Sequence, residues 1–370
     1  MKEERKRILQ MVEEGKLKVE EALTLLEELE KAEQSMEQKQ AQIVNELSTT
    51  VQFEEAKKEE PFQAKYQSTK DKIFEFVDIA LKKIKDLDLD LNFGQSVDIS
   101  HIFHQGDAAI KDIDIDVANG AVKLVGWEQP DVRIECQAKV YRVENQDQAR
   151  QNFLRDVLFS IEHEKLRFST QQKWMKVEAV VYVPKAVYNR VRVRLFNGPV
   201  SGEHMNVDEL RVKTANGKIS LDRFTGKKTE VETANGKIKL TGSQFEQVEA
   251  ETINGAIQLD GTFKKLEMES FNGNISLKLH GNEAELIRAK TAAGGVDLYL
   301  PEGLPVNGDL KTNLGGFHVN LTGIQVLEEK SEMIQKSLRF QSINHPEQLV
   351  NLYADTKTGS ITIHQSQEEK

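Results

Sequence analysis

The stretch that decides the fold is VKTANGKISL at 212–221, followed by VETANGKIKL at 231–240, AETINGAIQL at 250–259 and MESFNGNISL at 268–277. Their glycines, Gly217, Gly236, Gly255 and Gly273, are separated by 19, 19 and 18 residues. A fixed period near that length is the sequence signature of a repeat architecture. Looser copies extend the series, with DVANGAVKL around Gly120 and LFNGPVSG around Gly198 upstream. Downstream are TAAGGVDLYL around Gly294, TNLGGFHVNL around Gly315 and TKTGSITI around Gly359, which makes nine copies.

Aligned on the glycine, the third position before it holds Thr214, Thr233, Thr252, Ser270, Thr291, Thr312 and Thr356. The second position after it holds Ile219, Ile238, Ile257, Ile275, Val296, Phe317 and Ile361. Leu210, Val212 and Thr214 alternate with charged residues, as do Ile219 and Leu221, and this period of two belongs to strands with one buried face. Each copy therefore reads as a short strand, an Asn-Gly corner and another short strand. Tolerance of positive φ suits both corner residues.

Two architectures fit. Asn-Gly is a strong hairpin signal, so each copy could be one hairpin of a long meander. Alternatively each copy is one coil of a single-stranded β-solenoid, parallel β-helix-like, in which like residues stack about 4.8 Å apart. Retention of residue type at each aligned position favours the solenoid, which makes the chain mainly β. A lone coil cannot offset the entropy of ordering its residues, so the copies must be contiguous. No proline lies between Pro199 and Pro301, where every strand N–H is needed for the ladder. The steps of 21 residues from Gly273 to Gly294 to Gly315, and of 44 from there to Gly359, predict insertions in the later coils, Gln325 to Leu338 being one.

The solenoid is expected over 89–370, with an inserted strand and helix excursion at about 127–190. DVRIECQAKVY and KVEAVVYVP read as strands there, and Gln146 to Phe159 as a helix capped near Asn145. The excursion is expected to pack over the first coil and shield its open edge.

The amino-terminal third differs. Residues 1–30 read as two short helices around Gly15, carrying Ile8, Leu9 and Val12, then Val19, Ala22, Leu23, Leu26 and Leu29. So small a core predicts pairing with a second copy or docking elsewhere, and a homo-oligomer through 1–30 is the natural expectation. Residues 31–70, rich in Glu, Gln and Lys, read as a polar, partly helical linker. In residues 71–88, Ile73, Phe76, Val77, Ala80, Leu81, Ile84 and Leu87 fall at helical spacing. This amphipathic helix is expected to cap the solenoid where DLDLDLNF begins it. Its balanced charges argue against an anionic lipid surface.

With the hairpin MVEEGKLKVEEALTLLEEL, the helix FVDIALKKIKDLDLDLNFG and the TANGKI repeats in view, the chain resembles the bacterial family of YvlB-like proteins. That family combines a SHOCT-like helical hairpin with an adhesin-type β-strand-repeat region. The resemblance covers nearly the full length. It implies a cytoplasmic protein whose partners are small membrane proteins of an envelope-stress system, and it brings no catalytic residues. Lys18 departs from the Ser or Thr that commonly caps the second hairpin helix.

Composition bounds the function further. Fifty basic against sixty acidic residues give a formal charge of -10, which excludes the broad positive field of a nucleic-acid binder. No run of 18 apolar residues occurs and the opening MKEERKRILQ has no signal core, so a cytoplasmic protein without a transmembrane segment is expected. Cys136 is the only cysteine and can form neither an internal disulfide nor a cysteine-rich zinc site.

Candidate chemistry is sparse. Asp222 and Asp260 share the position five after the corner glycine, but Thr241 and Lys278 interrupt the series. His101 and His104, near Asp98 and Asp107, would point to opposite faces of a strand and so not share an ion. The alternations DLDLDLN and KDIDIDV read as solvated strand faces, since they lack the glycine-rich spacing of calcium repeats. Trp127 and Trp174 read as packing residues. No catalytic, cofactor-binding or metal residue is assigned. The expectation is a non-enzymatic scaffold or protein-interaction module; a carbohydrate-binding, adhesin-like module or a solenoid polysaccharide enzyme are the alternatives.

Overall fold

The computed structural model describes residues 2–13, the single positions 22, 23, 26, 27, 30, 34 and 38, and then 96–332, 334–343 and 349–366. Apart from positions 34 and 38, the linker lies outside the described residues, as do the segment 71–88 and the strand DLDLDLNF.

Helix α1 spans Lys2–Glu13, and the described positions from Ala22 to Gln38 are helical too. The β region begins with β1 (Ser96–Gln105), β2 (Asp112–Trp127) and β3 (Val132–Tyr141), then α2 (Gln146–Asp156). It continues through β4 (Val157–Glu162), β5 (Lys165–Thr170), β6 (Met175–Pro184) and β7 (Val187–Asn197). The repeat itself is β8 (Val200–Asn216), β9 (Ile219–Asn235), β10 (Ile238–Asn254) and β11 (Ile257–Asn272). After these come β12 (Ile275–Leu279), β13 (Leu286–Ala293), β14 (Val296–Pro301), β15 (Val306–Thr312) and β16 (Phe317–Asn320). The last four strands are β17 (Ile324–Ser331), β18 (Lys336–Ser342), β19 (Val350–Thr356) and β20 (Ile361–Ser366).

Neighbouring copies pair in parallel, Val212 beside Val231 and Asn216 beside Asn235, then Ala250 beside Met268 and Asn254 beside Asn272. The chain is thus a β-solenoid, and the meander is excluded. Two sheets face each other across one core. The lead sheet holds the strand segments before each corner, in the order β4–β5–β2–β7–β8–β9–β10–β11–β13–β19–β15–β18–β17. The trail sheet holds those after it, in the order β1–β3–β6–β2–β8–β9–β10–β11–β12–β14–β20–β16. Alternate residues of both sheets, such as Val212, Val231, Ile238, Leu240 and Phe245, fill the interior.

The corners differ from the expectation in their cause. Among the described residues no corner asparagine has positive φ, and φ in the left-handed range occurs at Gly120, Gly198 and Gly294 but not at the four central glycines. Those four are required by close approach instead. A Cβ on Gly236 would lie 2.0 Å from the carbonyl oxygen of Gly217 in the coil beside it. The Asn-Gly pair thus serves stacking, not a hairpin turn.

Three hydrogen-bond ladders hold the stack. Backbone pairing runs through the corner itself, with the Gly217 N–H donating to Asn235 O at 3.0 Å. The Asn216, Asn235 and Asn254 amides each donate to the preceding asparagine's Oδ1 at 2.8, 2.9 and 2.9 Å. Thr214, Thr233 and Thr252 donate from Oγ1 to the carbonyl of Gly198, Gly217 and Gly236 at 3.1, 3.0 and 2.9 Å. These threonines are buried, so the bond satisfies a hydroxyl that has no water available.

Coil order departs from chain order at both ends. Beyond Gly294 the next coil is that of Gly359, and the Gly315 coil lies outside it: β13 and β15 both pair with β19, and β14 and β16 both pair with β20. Stacking in chain order would place the Gly315 coil directly on that of Gly294. Parallel pairing instead admits any coil with matching side chains. The insertion after Gly315 is the antiparallel hairpin β17–β18, which extends the lead sheet from β15. At the other end, β2 is enclosed between the β5–β6 coil and the β7–β8 coil. The excursion therefore packs over the first coil as expected. Helix α2 starts where Asn145 Oδ1 accepts from the Gln148 N–H at 2.9 Å, and ends at Asp156, so Phe159 belongs to a strand.

Candidate functional site

The lead face carries ion pairs set by the coil register. Asp114 meets Lys165 at 2.9 Å and Asp116 meets Arg194 at 2.7 Å, each on an adjacent coil. Burial pushes the Asp116 carboxyl up even though Arg194 opposes the shift. Farther along, Lys213 reaches Glu230 at 3.2 Å and Glu232 at 2.7 Å, and Arg211 reaches Glu230 at 2.8 Å. In the alternation KDIDIDV the Asp114 and Asp116 carboxylates are thus engaged by cations of neighbouring coils.

The other candidates disperse. His101 points inward, 4.5 Å ring to ring from Phe103 and 5.8 Å from Phe153, and burial with Arg150 nearby lowers its pKa. His104, on the opposite side of β1, contacts Asp131 at 2.6 Å. The two histidines therefore do not share a site. Among the described residues no group of three His, Cys, Asp or Glu side chains is placed to hold a metal. Cys136 is buried and its thiol is pushed up to about 12 by that burial, which removes it as a nucleophile near neutral pH. Asp222 pairs with Arg223 at 2.8 Å and Asp260 with His280 at 2.8 Å, and Thr241 stands beside Asp222 on the next coil. Trp127 donates to the Asp131 carbonyl at 2.9 Å and packs on Tyr182, while Trp174 packs on the core.

What remains is the carboxy-terminal end of the solenoid. There the lead sheet continues through β18 and β17, whereas the trail sheet stops at β16. The overhang leaves a groove of about 470 Å³ floored by Phe317, Val319, Ile324, Leu338 and Phe340, with Glu329 and Lys330 on its rim. A second depression of about 690 Å³ shares Ile324 and is lined by Leu304, Leu321 and Ile343. Val326, lining the first groove, is 52% exposed. Beside it, Ile8 and Ala22 of the amino-terminal helices are buried in a cluster with Val12, Leu26, Leu314 and Ile334, so the hairpin rests against this end of its own solenoid. Reading the repeats in chain order hid this site, because the terminal coil is not the last one in the sequence.

Fold and surface together define a two-faced β-solenoid module with an attached helical hairpin. Residues 110–364 match the Toastrack DUF4097 family, and the chain belongs to it; residues 3–34 match a SHOCT-like domain. The uncharacterized protein YvlB of Bacillus subtilis (strain 168) is 47% identical over 372 residues, covering 99% of this chain and 100% of that protein. Among solved structures, a "putative adhesin" of Bacteroides fragilis NCTC 9343 is similar at TM-score 0.41 and 13% identity, covering 72% of this chain and 97% of that one. One so named from Parabacteroides distasonis ATCC 8503 is similar at TM-score 0.37 and 13% identity, over 74% and 98%. Among the described residues no helix is long and apolar enough to cross a membrane.

Proposed function

We propose that the protein is a non-enzymatic scaffold that acts in the cytoplasm and carries a protein-binding end. The observation behind this reading is the apolar groove at the overhang of β17 and β18, next to a helical hairpin seated on Leu314 and Ile334. Elsewhere the lead face uses its charges on neighbouring coils, which favours a rigid spacer over a reactive surface. The partner in this reading is a membrane protein of an envelope-stress system, and residues 1–30 mediate docking or self-association.

The test is a pull-down from cells under envelope stress with the full chain and with a chain lacking residues 1–30. A membrane protein recovered by the full chain and lost on deletion supports the reading; equal recovery by both removes the hairpin's part in it. A carbohydrate-binding reading draws on the Tyr299 ring, stacked at 4.7 Å and 14° on His364 and partly exposed. Saturable glycan binding that Tyr299→Ala abolishes would favour that reading instead.

A further inference from the structure

The hydroxyl ladder at the corners ends differently from the way it runs. From Gly198 through to Gly359, in coil order, each corner glycine's carbonyl accepts the hydroxyl of the next coil's threonine or serine. The outermost of these carbonyls, that of Gly315, accepts Lys336 Nζ at 2.9 Å instead. Lys336 thus stands where the hydroxyl of a further coil would be, and the ladder is completed within one chain.

The surface around this last rung is apolar, and the amino-terminal helices cover it. Leu314 precedes Gly315, and Ile334 lies two residues before Lys336. Both pack in one cluster with Ile8, Val12, Ala22 and Leu26, where Ile8 is fully buried and Ala22 is 4% exposed. Leu9 and Leu23, by contrast, are 55% and 56% exposed. The helices therefore have one covered side and one open side. A core of two short helices is too small to be stable alone, the reason the sequence predicts pairing with a second copy or docking elsewhere. The missing apolar surface is supplied by the chain's own solenoid.

We propose that helix α1 is an intramolecular latch: seated with Leu314 and Ile334, it occupies the apolar face through which residues 1–30 would pair with a second copy, so pairing requires the latch to lift. This deepens the reading of residues 1–30 as a docking or self-association element by naming what regulates it. The same face cannot serve both contacts, because Ile8 and Ala22 have almost no surface left while seated. Pairing is then weakened by the fraction of chains that are closed. The seat also adjoins the groove, whose lining residues Gly316 and Lys336 lie two positions beyond Leu314 and Ile334, so a lifted latch bares apolar surface beside it.

Two measurements on the full chain test this: amide hydrogen exchange in Lys2–Glu13 and mass by light scattering, each against concentration. The wild type is expected to be monomeric, with protection in Lys2–Glu13 independent of concentration, as for a contact within one chain. Leu314→Asp with Ile334→Asp empties the seat. Protection in Lys2–Glu13 should then fall by about tenfold or more at low concentration, and the mass should rise toward a dimer as concentration increases. Adding Ile8→Asp to that variant should return it to the monomer. Leu9→Asp with Leu23→Asp, on the open side, should leave the wild-type result unchanged. Protection in β8 to β10 reports folding, and Leu314→Ala with Ile334→Ala carries the same test if the aspartates disturb it. Protection in Lys2–Glu13 that grows with concentration, a wild type already paired, or a seat variant that stays monomeric would each overturn the proposal. The pull-down tests what residues 1–30 dock to, and its failure leaves these outcomes as they are.

Discussion

The hydroxyl of Thr312 donates a hydrogen bond of 2.9 Å to the carbonyl of Gly359, 47 residues farther along the chain. Thr356 in turn donates to Gly294 at 2.7 Å. Thr214, Thr233, Thr252, Ser270 and Thr291 each bond the coil immediately before their own in sequence, so these two bonds mark the place where the chain closes over its own end. The last strands, β19 and β20, lie inside the stack, with the earlier β15 and β16 outside them.

Removal of residues 349–370 tests that order. If coils stacked in chain order, the deletion would strip only a terminal layer. Here it removes the layer on which β15 and β16 rest, so amide hydrogen exchange should lose protection in Val306–Asn320 while β8 to β10 keep theirs. Retained protection in β15 would contradict the inserted order.

Substitution at two glycines separates close approach from conformational freedom. Gly236→Ala places a methyl 2.0 Å from the Gly217 carbonyl, a backbone atom that cannot move without breaking the ladder. A loss of about 3 kcal/mol or more is expected in urea unfolding, at the severe end for single substitutions. Gly316→Ala, with no atom within 4 Å, should change stability by less than about 0.5 kcal/mol.

Thr233→Val keeps shape and β-propensity but removes the hydroxyl that donates to Gly217 O at 3.0 Å. Thr233 is fully buried, so the carbonyl is left without that partner. A destabilisation of about 1–3 kcal/mol follows, the penalty of a buried unsatisfied group. An equal or higher melting temperature for the valine variant would show that the threonine ladder contributes nothing.

Glu230 carries a pH dependence. Burial alone would raise its pKa, but Lys213 and Arg211 outweigh burial and hold the carboxyl below the ordinary glutamate value. A folded pKa below the unfolded one means that the unfolded state binds more protons. The stabilisation is therefore complete above the unfolded value and fades as pH falls through the folded one. Glu230→Gln should be less stable than wild type near neutral pH, and the two unfolding curves should converge on acidification. A difference that persists at acid pH would assign the effect to packing instead.

Much of this architecture is legible from residue types alone. The alternation around VKTANGKISL and the recurrence of Thr, Asn, Gly and Ile specify coils, because parallel stacking brings identical positions of successive copies within hydrogen-bond distance. The excursion is legible in outline, with Asn145 announcing α2 through its capping side chain. Strands β4 and β5 are not, since Val157–Thr170 carries no repeat signal and pairs within the cap.

The sequence by itself determined the repeat, its period and the residues that turn inward, because those depend on local alternation and on side-chain types that must satisfy one another between neighbours. Only the tertiary structure decided which coil neighbours which, why the corner glycines are required, and where the apolar interior is left open. Coil order is a choice among nearly equivalent partners, made by side-chain packing between segments far apart in the chain. The groove at β16 exists because that choice ends the two sheets at different strands.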